Sequence, residues 1–190
     1  MALSSRPAYP CGMETTTFDT ALGRFGIGWT DKGLARLLLP GDDDAVFLER
    51  LNRGGATPGD PSRDITALMD QIEDYAEGAE VSFASVSLDL AGVPEFHRRA
   101  YSLLLSVGWG ETLTYGDLAR QLGDVGLSRA VGQAMAANPI PLVIPCHRVL
   151  ASNGKPGGFS APGGAATKVR MLALEGVEVG APAGQLRFGF

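Results

Sequence analysis

Cysteine and histidine are scarce in this sequence, with two of each among 190 residues. Cys11 lies near the N-terminus and Cys146 lies far along the chain, so their spacing does not indicate a disulfide framework. The sequence also has no C-x-x-C pair, which argues against a thiol redox protein. Reduced thiols are typical of the cytoplasm, and we expect that location.

Long apolar runs are absent as well. No stretch approaches the roughly 20 apolar residues of a membrane-spanning helix. The first ten residues, MALSSRPAYP, lack the apolar segment of a secretory signal, so we expect no membrane partner. The sequence is 45% apolar and 19% charged, which is typical of a folded protein with a sizeable core.

Charge is distributed unevenly between the two halves of the chain. Residues 1–96 hold 7 Lys and Arg against 16 Asp and Glu, a balance of −9, whereas residues 97–190 hold 9 against 5, a balance of +4. The change of sign suggests two domains, of which the C-terminal one is able to meet a polyanion. A few surplus charges also serve solubility, so the pattern permits a nucleic-acid partner without requiring one.

The first half shows the pattern of a small α/β unit, for which we predict a flexible tail at 1–12 and a domain at 13–90. β-like runs are separated by the turn sequences ALG and TDKG, and amphipathic helical segments follow. Its scattered acids are typical of a solvated surface and indicate no chemistry. The predicted strands are 15–20, 24–29, 34–40 and 81–90, and the predicted helices are 42–51 and 65–78.

The second half is predicted to be mostly helical, with a domain at 91–180 and a tail at 181–190. Thr114 and Asp117 form a capping-box-like helix start, and a glycine-framed turn then leads to a further helix, which makes a helix-turn-helix candidate. That last helix is rich in glycine and alanine, which suits either tight packing or close approach to a narrow groove. The predicted helices are 96–107, a short one ending near Leu122, and 128–138.

The stretch PLVIPCHRVL, residues 141–150, places Cys146 and His147 after an apolar run between two prolines. One interpretation is a core strand in which Cys146 packs as a small hydrophobic residue. The other is a nucleophile beside a base, because a thiol with a pKa of about 8.5 needs a group that takes its proton. Neighbouring residues of an extended strand point to opposite faces, so this interpretation requires a bend at Cys146 or a bridging water.

Five ordered segments carry a resemblance to a known family. Between about Phe96 and Gly176 the chain contains, in order, LTYGDLA, SRAVGQAM, NPIPLVIPCHRV, GGFSAPGG and LALEG. This series resembles the O6-alkylguanine-DNA alkyltransferases, or methylated-DNA–protein-cysteine methyltransferases, and PCHRV is highly specific to that family. The resemblance implies an α+β fold, with a small ribonuclease H-like α/β domain followed by a mostly helical domain that carries a helix-turn-helix.

The resemblance also implies a catalytic set. Cys146 would be the nucleophile of a Cys146–water–His147–Glu175 relay, in which Glu175 orients the imidazole and stabilises its charged form. Asn138 would brace the turn that precedes the reactive loop.

A second set of residues is implied to handle DNA. Tyr115 would hold the rotated nucleotide and donate its hydroxyl to the purine, and Arg129 would enter the vacated stack through the minor groove. The other residues implied to contact DNA or the base are Ser128, Val149, Ser160 and Lys168.

The implied function is DNA repair by direct transfer of an alkyl group from O6-alkylguanine in double-stranded DNA to Cys146. The thioether product cannot be reversed, so each molecule would act once, as a monomer, without a metal or other cofactor. One alternative is a protein that flags alkylated DNA without transfer, although such relatives lack the cysteine. Another is a cysteine hydrolase, which would usually bring its histidine from elsewhere in the sequence.

Overall fold

The computed structural model describes residues 12–41 and 43–179. Cys11 and the predicted tail at 181–190 lie outside these residues, as does the predicted tail at 1–12 apart from Gly12. Within the described residues the chain has a mixed α+β fold with a four-stranded sheet, a two-stranded sheet and six α-helices. No helix of this part of the chain is both long and apolar enough to cross a membrane.

The first half of the chain builds the larger sheet. Three antiparallel strands form a meander through two tight turns, and a short fourth strand pairs in parallel with the first. The three strands predicted before Pro40 are therefore confirmed. In the sheet order β3-β2-β1-β4, the strands are β1 (Glu14–Thr20), β2 (Gly23–Thr30), β3 (Gly33–Leu38) and β4 (Thr57–Pro58).

Two helices pack against this sheet, and each begins at a side chain that caps it. α1 (Asp44–Leu51) begins where the Asp43 carboxylate accepts a hydrogen bond from a first-turn amide, and α2 (Arg63–Ala76) begins where the Ser62 hydroxyl does the same. Both predicted helices are confirmed. The core-facing stripe of α2 has the expected helical spacing and consists of Ile65, Leu68, Ile72 and Tyr75.

The strand predicted at 81–90 is wrong. Its apolar side chains occupy odd positions before residue 84 and even positions after residue 85, so one straight strand would turn one set away from the core. A turn at 84–85, closed by a 3.1 Å hydrogen bond from the Val86 amide to the Phe83 carbonyl, resets the alternation. A single bridge, between Leu34 and Leu88, pairs this segment with β3.

The second half is mainly helical, as predicted. The capping box is present: the Thr114 hydroxyl accepts a hydrogen bond from the Asp117 amide, and the Asp117 carboxylate accepts one from the Thr114 amide. The helix that begins after Thr114 is joined to the following helix by a 3₁₀ turn (Val125–Leu127). The C-terminal helix, at 165–174, was not among the predicted helices. The helices are α3 (Glu95–Leu104), α4 (Tyr115–Gln121), α5 (Ser128–Ala136) and α6 (Ala165–Leu174).

The stretch 141–150 does not form the core strand that one interpretation required. A turn precedes a 3₁₀ helix over Cys146–Arg148, and only the last two residues form a strand, β6 (Val149–Leu150), which pairs in parallel with β5 (Leu113–Thr114). The chain therefore bends at Cys146, which is one of the two arrangements that the nucleophile interpretation allowed.

One hydrophobic core joins the two halves of the chain. A continuous cluster of buried side chains runs from the sheet through α2 to the C-terminal helices. The Leu37 amide of β3 also donates a 3.0 Å hydrogen bond to the Pro139 carbonyl, directly before the reactive loop. The sheet therefore supports the segment that carries Cys146.

Candidate active site

Asn138 holds the reactive loop together. Its Oδ1 accepts a hydrogen bond from the Ile140 amide at 3.0 Å, and its Nδ2 donates to the Ile144 carbonyl at 2.9 Å. The same Nδ2 lies 3.2 Å from Sγ of Cys146. Leu142, within the loop, has a φ of 78°, a left-handed conformation that is uncommon for a residue other than glycine. One amide thus fixes a strained loop and also contacts the sulfur.

Cys146 lies at a pocket of about 480 Å³, although the residue itself is only 3% exposed. A volume of this size is typical of sites for small molecules. The lining is largely apolar and comes from α4, α5 and the loop before α6. The pocket residues are Tyr115, Ser128, Gly132, Met135, Ala136, Cys146, Gly158, Phe159 and Ser160.

Opposing effects act on the pKa of the Cys146 thiol. Burial raises its pKa above the ordinary value, because a thiolate loses solvation there. The hydrogen bond from Asn138 and the positive charge of Lys168 oppose this rise. The thiol is therefore protonated at rest, and a base is needed to make it a nucleophile.

His147, Arg148 and Glu175 form a buried charge cluster behind the thiol. His147 Nε2 lies 2.7 Å from Glu175 Oε1, Arg148 Nε donates to Oε2 at 2.8 Å, and an Arg148 terminal nitrogen donates to Oε1 at 3.0 Å. Burial alone would raise the pKa of Glu175, but the hydrogen bonds from His147 and Arg148 lower it to about 2. Glu175 is therefore a carboxylate at neutral pH and only accepts hydrogen bonds.

This arrangement fixes the tautomer of His147. Burial lowers the pKa of the imidazole below its ordinary value, although Glu175 opposes the shift, so the ring is neutral at rest. Since Glu175 can only accept, Nε2 carries the proton and Nδ1 carries the free lone pair. Nδ1 is buried and makes no hydrogen bond to any described protein group. His147 thus presents a base on the side away from Glu175.

Lys168 and Tyr115 lie beside the thiol on another side. Lys168 is fully buried, its Nζ donates a 2.5 Å hydrogen bond to the Val149 carbonyl, and it lies 5.7 Å from the centre of the Tyr115 ring. Burial lowers the pKa of Lys168 to about 8. The Tyr115 hydroxyl lies 3.4 Å from the Gly158 carbonyl, and Tyr115 lines the pocket.

The small residues of α5 serve two purposes. Ala134 is buried in the core, whereas Gly132 and Ala136 line the pocket. The packing interpretation of this helix is therefore confirmed at Ala134, and the close approach to a narrow groove stays a prediction. Of the two polar residues at its start, Ser128 lines the pocket and Arg129 is exposed outside it.

Comparison with known proteins identifies the family. Residues 95–177 match the family model "6-O-methylguanine DNA methyltransferase, DNA binding domain". The chain is 42% identical over 163 residues to the methylated-DNA–protein-cysteine methyltransferase of Mycolicibacterium paratuberculosis, covering 86% of this chain and 92% of that one. The chain belongs to the methylated-DNA–protein-cysteine methyltransferase family.

Two further members of the family are similar to this chain over both of its halves. The Homo sapiens methyltransferase of the same name is 34% identical over 181 residues, covering 90% of this chain and 84% of the human one. The crystal structure of Mycobacterium tuberculosis OGT in complex with DNA has a TM-score of 0.72 at 33% identity, covering 85% of this chain and 92% of that one. The methyltransferase fold therefore includes the sheet as well as the helices.

Most of the predicted site residues of this methyltransferase lie together. Asn138 contacts the Cys146 sulfur, His147 contacts Glu175, and Lys168 contacts Val149. Three further predicted residues share the pocket with Cys146, namely Tyr115, Ser128 and Ser160. Arg129 is the predicted residue that lies apart, on the exposed side of α5.

Sequence reasoning missed two residues of the methyltransferase site. Arg148 stands inside the quoted PCHRV segment, and its position directly after His147 was the signal that could have identified it. Tyr75, at the end of α2, donates a 3.1 Å hydrogen bond to Glu175 Oε1 across 100 residues of sequence. No local pattern around Tyr75 indicates that contact.

Proposed function

We propose that this protein repairs DNA by moving an alkyl group from O6 of guanine in double-stranded DNA to Sγ of Cys146. The observation that carries the proposal is a cysteine at a small-molecule-sized pocket, directly followed by a histidine that is bonded to a buried carboxylate. A methyl carbon calls for a soft nucleophile, and a thiolate is one. The family of this chain has that activity in its name.

The proton of the thiol leaves through His147. Nδ1 of the neutral imidazole accepts it through one water, and Glu175 stabilises the imidazolium that results. The Asn138 amide and Lys168 ammonium stabilise the thiolate in the meantime. Sγ then forms a bond to the alkyl carbon as the bond from that carbon to O6 breaks.

The broken bond leaves its electron pair on the purine, which takes up one proton and becomes ordinary guanine. Tyr115 is the pocket group that donates its hydroxyl to the purine, and Ser160 and the Val149 backbone contribute to recognition of the base. The thioether on Cys146 has no leaving group that the site can activate. Each molecule therefore reacts once, and neither a metal nor another cofactor takes part.

DNA binds on the side of α4 and α5, which form a helix-turn-helix with the 3₁₀ turn between them. The small side chains Gly132 and Ala136 let α5 approach the minor groove closely. Arg129 enters the stack that the rotated base leaves, and Ser128 contacts the backbone nearby. A crystal structure of Mycobacterium tuberculosis OGT, similar over most of this chain, contains DNA.

The remaining features of the assignment are more general. The meander of β1, β2 and β3, with β4 parallel to β1, supports a ribonuclease H-like N-terminal domain at 13–90, followed by the alkyltransferase domain at 91–180. One chain supplies every residue that the reaction needs, so the protein acts as a monomer. A free thiol nucleophile suits the reducing cytoplasm.

Peptide mass spectrometry tests the proposal after incubation with duplex DNA that contains O6-methylguanine. We expect one added methyl group on the Cys146 peptide and unmodified guanine in the DNA. Cys146→Ala should bind the same duplex and remain unmethylated. Lesion binding by the wild-type protein without methyl transfer would refute the proposal in favour of damage flagging, and a methyl group on another residue would refute the choice of nucleophile.

A further inference from the structure

The carboxylate of Glu175 receives a hydrogen bond from the sheet half of the molecule, the N-terminal half that carries β1–β4, α1 and α2. The C-terminal half, with α3–α6, is called the helical half. The Tyr75 hydroxyl lies 3.1 Å from Oε1, the same oxygen that lies 2.7 Å from His147 Nε2. Burial and the nearby carboxylate raise the pKa of Tyr75 well above its ordinary value. The phenol therefore keeps its proton and acts as a donor to Glu175 over the whole working pH range.

Packing fixes the position of this hydroxyl. Tyr75 is fully buried, and the Trp109 ring meets its ring edge-on at 5.4 Å between centroids, with 75° between the planes. The Phe83 ring lies 6.3 Å away. The residue after Trp109, Gly110, has its amide 3.5 Å from Glu175 Oε2. The Tyr75 hydroxyl therefore contacts Oε1 of Glu175, and the loop that contains Trp109 and Gly110 contacts Oε2.

We propose that Tyr75 is a positioning residue for the transfer reaction. Its hydroxyl fixes the Glu175 carboxylate, and through it the His147 ring, in the orientation in which Nδ1 takes the thiol proton. This inference rests on the proposed function. According to this inference the N-terminal half contributes to the active site, because α2 supplies the Tyr75 hydroxyl that contacts Glu175.

The charged surroundings determine the direction of the expected effect. The groups that face the His147–Glu175 pair are Arg148 from the 3₁₀ helix, Lys168 from α6, the Cys146 thiol, and Tyr75 from α2. Without the Tyr75 hydroxyl, Oε1 keeps fewer donors and accepts more strongly from His147. The imidazole then binds protons more tightly, so a higher pH is needed to keep it a base.

The test compares Tyr75→Phe with the wild-type protein in the alkylation of Cys146 by free O6-benzylguanine, which needs no DNA. Phenylalanine keeps the ring and its contacts with Trp109. Ile72→Val, one turn earlier on α2, is the matched control, because it removes a buried methyl group and no hydrogen-bond donor. The second-order rate constant is measured across the acid limb of its pH profile, and thermal unfolding is measured for each variant.

We expect Tyr75→Phe to lower the plateau rate about fivefold and to move the acid limb to higher pH. The rate loss is smaller than that of a full hydrogen bond to a charged group, because Tyr75 acts on the reaction only through Glu175 and His147. Ile72→Val should follow the wild-type profile even where it lowers the melting temperature. A Tyr75→Phe profile that superposes on the wild-type profile would overturn the inference. Absence of alkylation in the wild-type protein would instead count against the proposed function itself.

A second measurement asks whether Tyr75 acts through His147. On a His147→Asn background, Tyr75→Phe should cause no further loss of rate, because the base that it positions is already gone. The same loss on both backgrounds would show that Tyr75 affects the rate by another route and would overturn the inference.

Discussion

The two halves of this molecule differ in what they give to the site. Every residue that lines the pocket, and the whole His147–Arg148–Glu175 cluster, comes from the helical half. The sheet half contacts the same site from behind, among others through the Tyr75 hydroxyl on Glu175 and the Leu37 amide on the Pro139 carbonyl. The groups that we propose to contact the substrate thus belong to the helical half, and the sheet half packs behind them.

Matched substitutions test this division. Each change below in the helical half is paired with a similar change in the sheet half, where the proposed division predicts little effect on the reaction.

Removing the charge of Glu175 should have the largest effect. Glu175→Gln leaves Arg148 buried beside a neutral group and removes the partner of His147, so we expect a rate loss on the order of 10²–10⁴-fold, the range of general-base contributions. Loss of one partner of a buried ion pair also costs about 3–5 kcal/mol of unfolding free energy. Rates of Cys146 alkylation and urea unfolding curves measure the two effects.

The stability difference should also depend on pH. The pKa of Glu175 falls from 4.5 to about 2 on folding, so its contribution is fully present above pH 4.5 and is lost as the pH falls toward 2. The control is Glu73→Gln, an exposed acid on α2, which should change neither rate nor stability noticeably. A wild-type rate in Glu175→Gln would contradict the relay.

Loss of the amide that contacts the sulfur should have the next largest effect. Asn138→Ala should slow alkylation of Cys146 by about tenfold to a hundredfold, the factor for about 1.5–3 kcal/mol of hydrogen bonding to a charged group. It should also raise the pKa of the thiol further, because one of the groups that lower it is removed. The pH dependence of the reaction with iodoacetamide measures that pKa.

Asn52→Ala is the control for this change, because Asn52 accepts a side-chain hydrogen bond from Thr15 within the sheet half. In Asn52→Ala the thiol of Cys146 should titrate as it does in the wild-type protein. If Asn138→Ala lowered the rate without moving the thiol titration, Asn138 would act on the loop alone and not on the sulfur.

Arg129 tests the DNA side of the comparison. Arg129→Ala should slow methyl transfer from duplex DNA roughly tenfold, since the inserted side chain offsets part of the few kcal/mol lost in unstacking. Reaction with free O6-benzylguanine should not change, because no base has to be extruded. Arg63→Ala removes the same charge from the exposed start of α2 and should leave both rates unchanged. Equal losses on both substrates would contradict the base-flipping role of Arg129.

The same division explains how far the sequence could predict the structure. Thr114 and Asp117 predicted their helix start because a capping box is local, and Cys146, His147 and Glu175 were implied by ordered motifs in one half. The segment at 81–90 was misjudged because its alternation shifts at 84–85, and only the core shows which side chains face inward. Tyr75 gave no signal, since its contact with Glu175 spans 100 residues and depends on how α2 packs.

The effect expected for Lys168 is on stability, and it appears only above pH 8. Burial lowers its pKa from 10.5 to about 8, so between these pH values the unfolded chain binds a proton that the folded protein does not. Stability therefore rises with pH across this window, by about 3 kcal/mol at most. Lys168→Met should abolish that rise, so the wild-type protein should gain on the variant between pH 8 and 10.5 in urea unfolding. Lys32→Met, at an exposed turn of the sheet half, should run parallel to the wild-type curve. A constant difference between Lys168→Met and the wild-type protein across the window would mean that Lys168 folds with its proton retained, and that it faces the thiol as a full positive charge throughout.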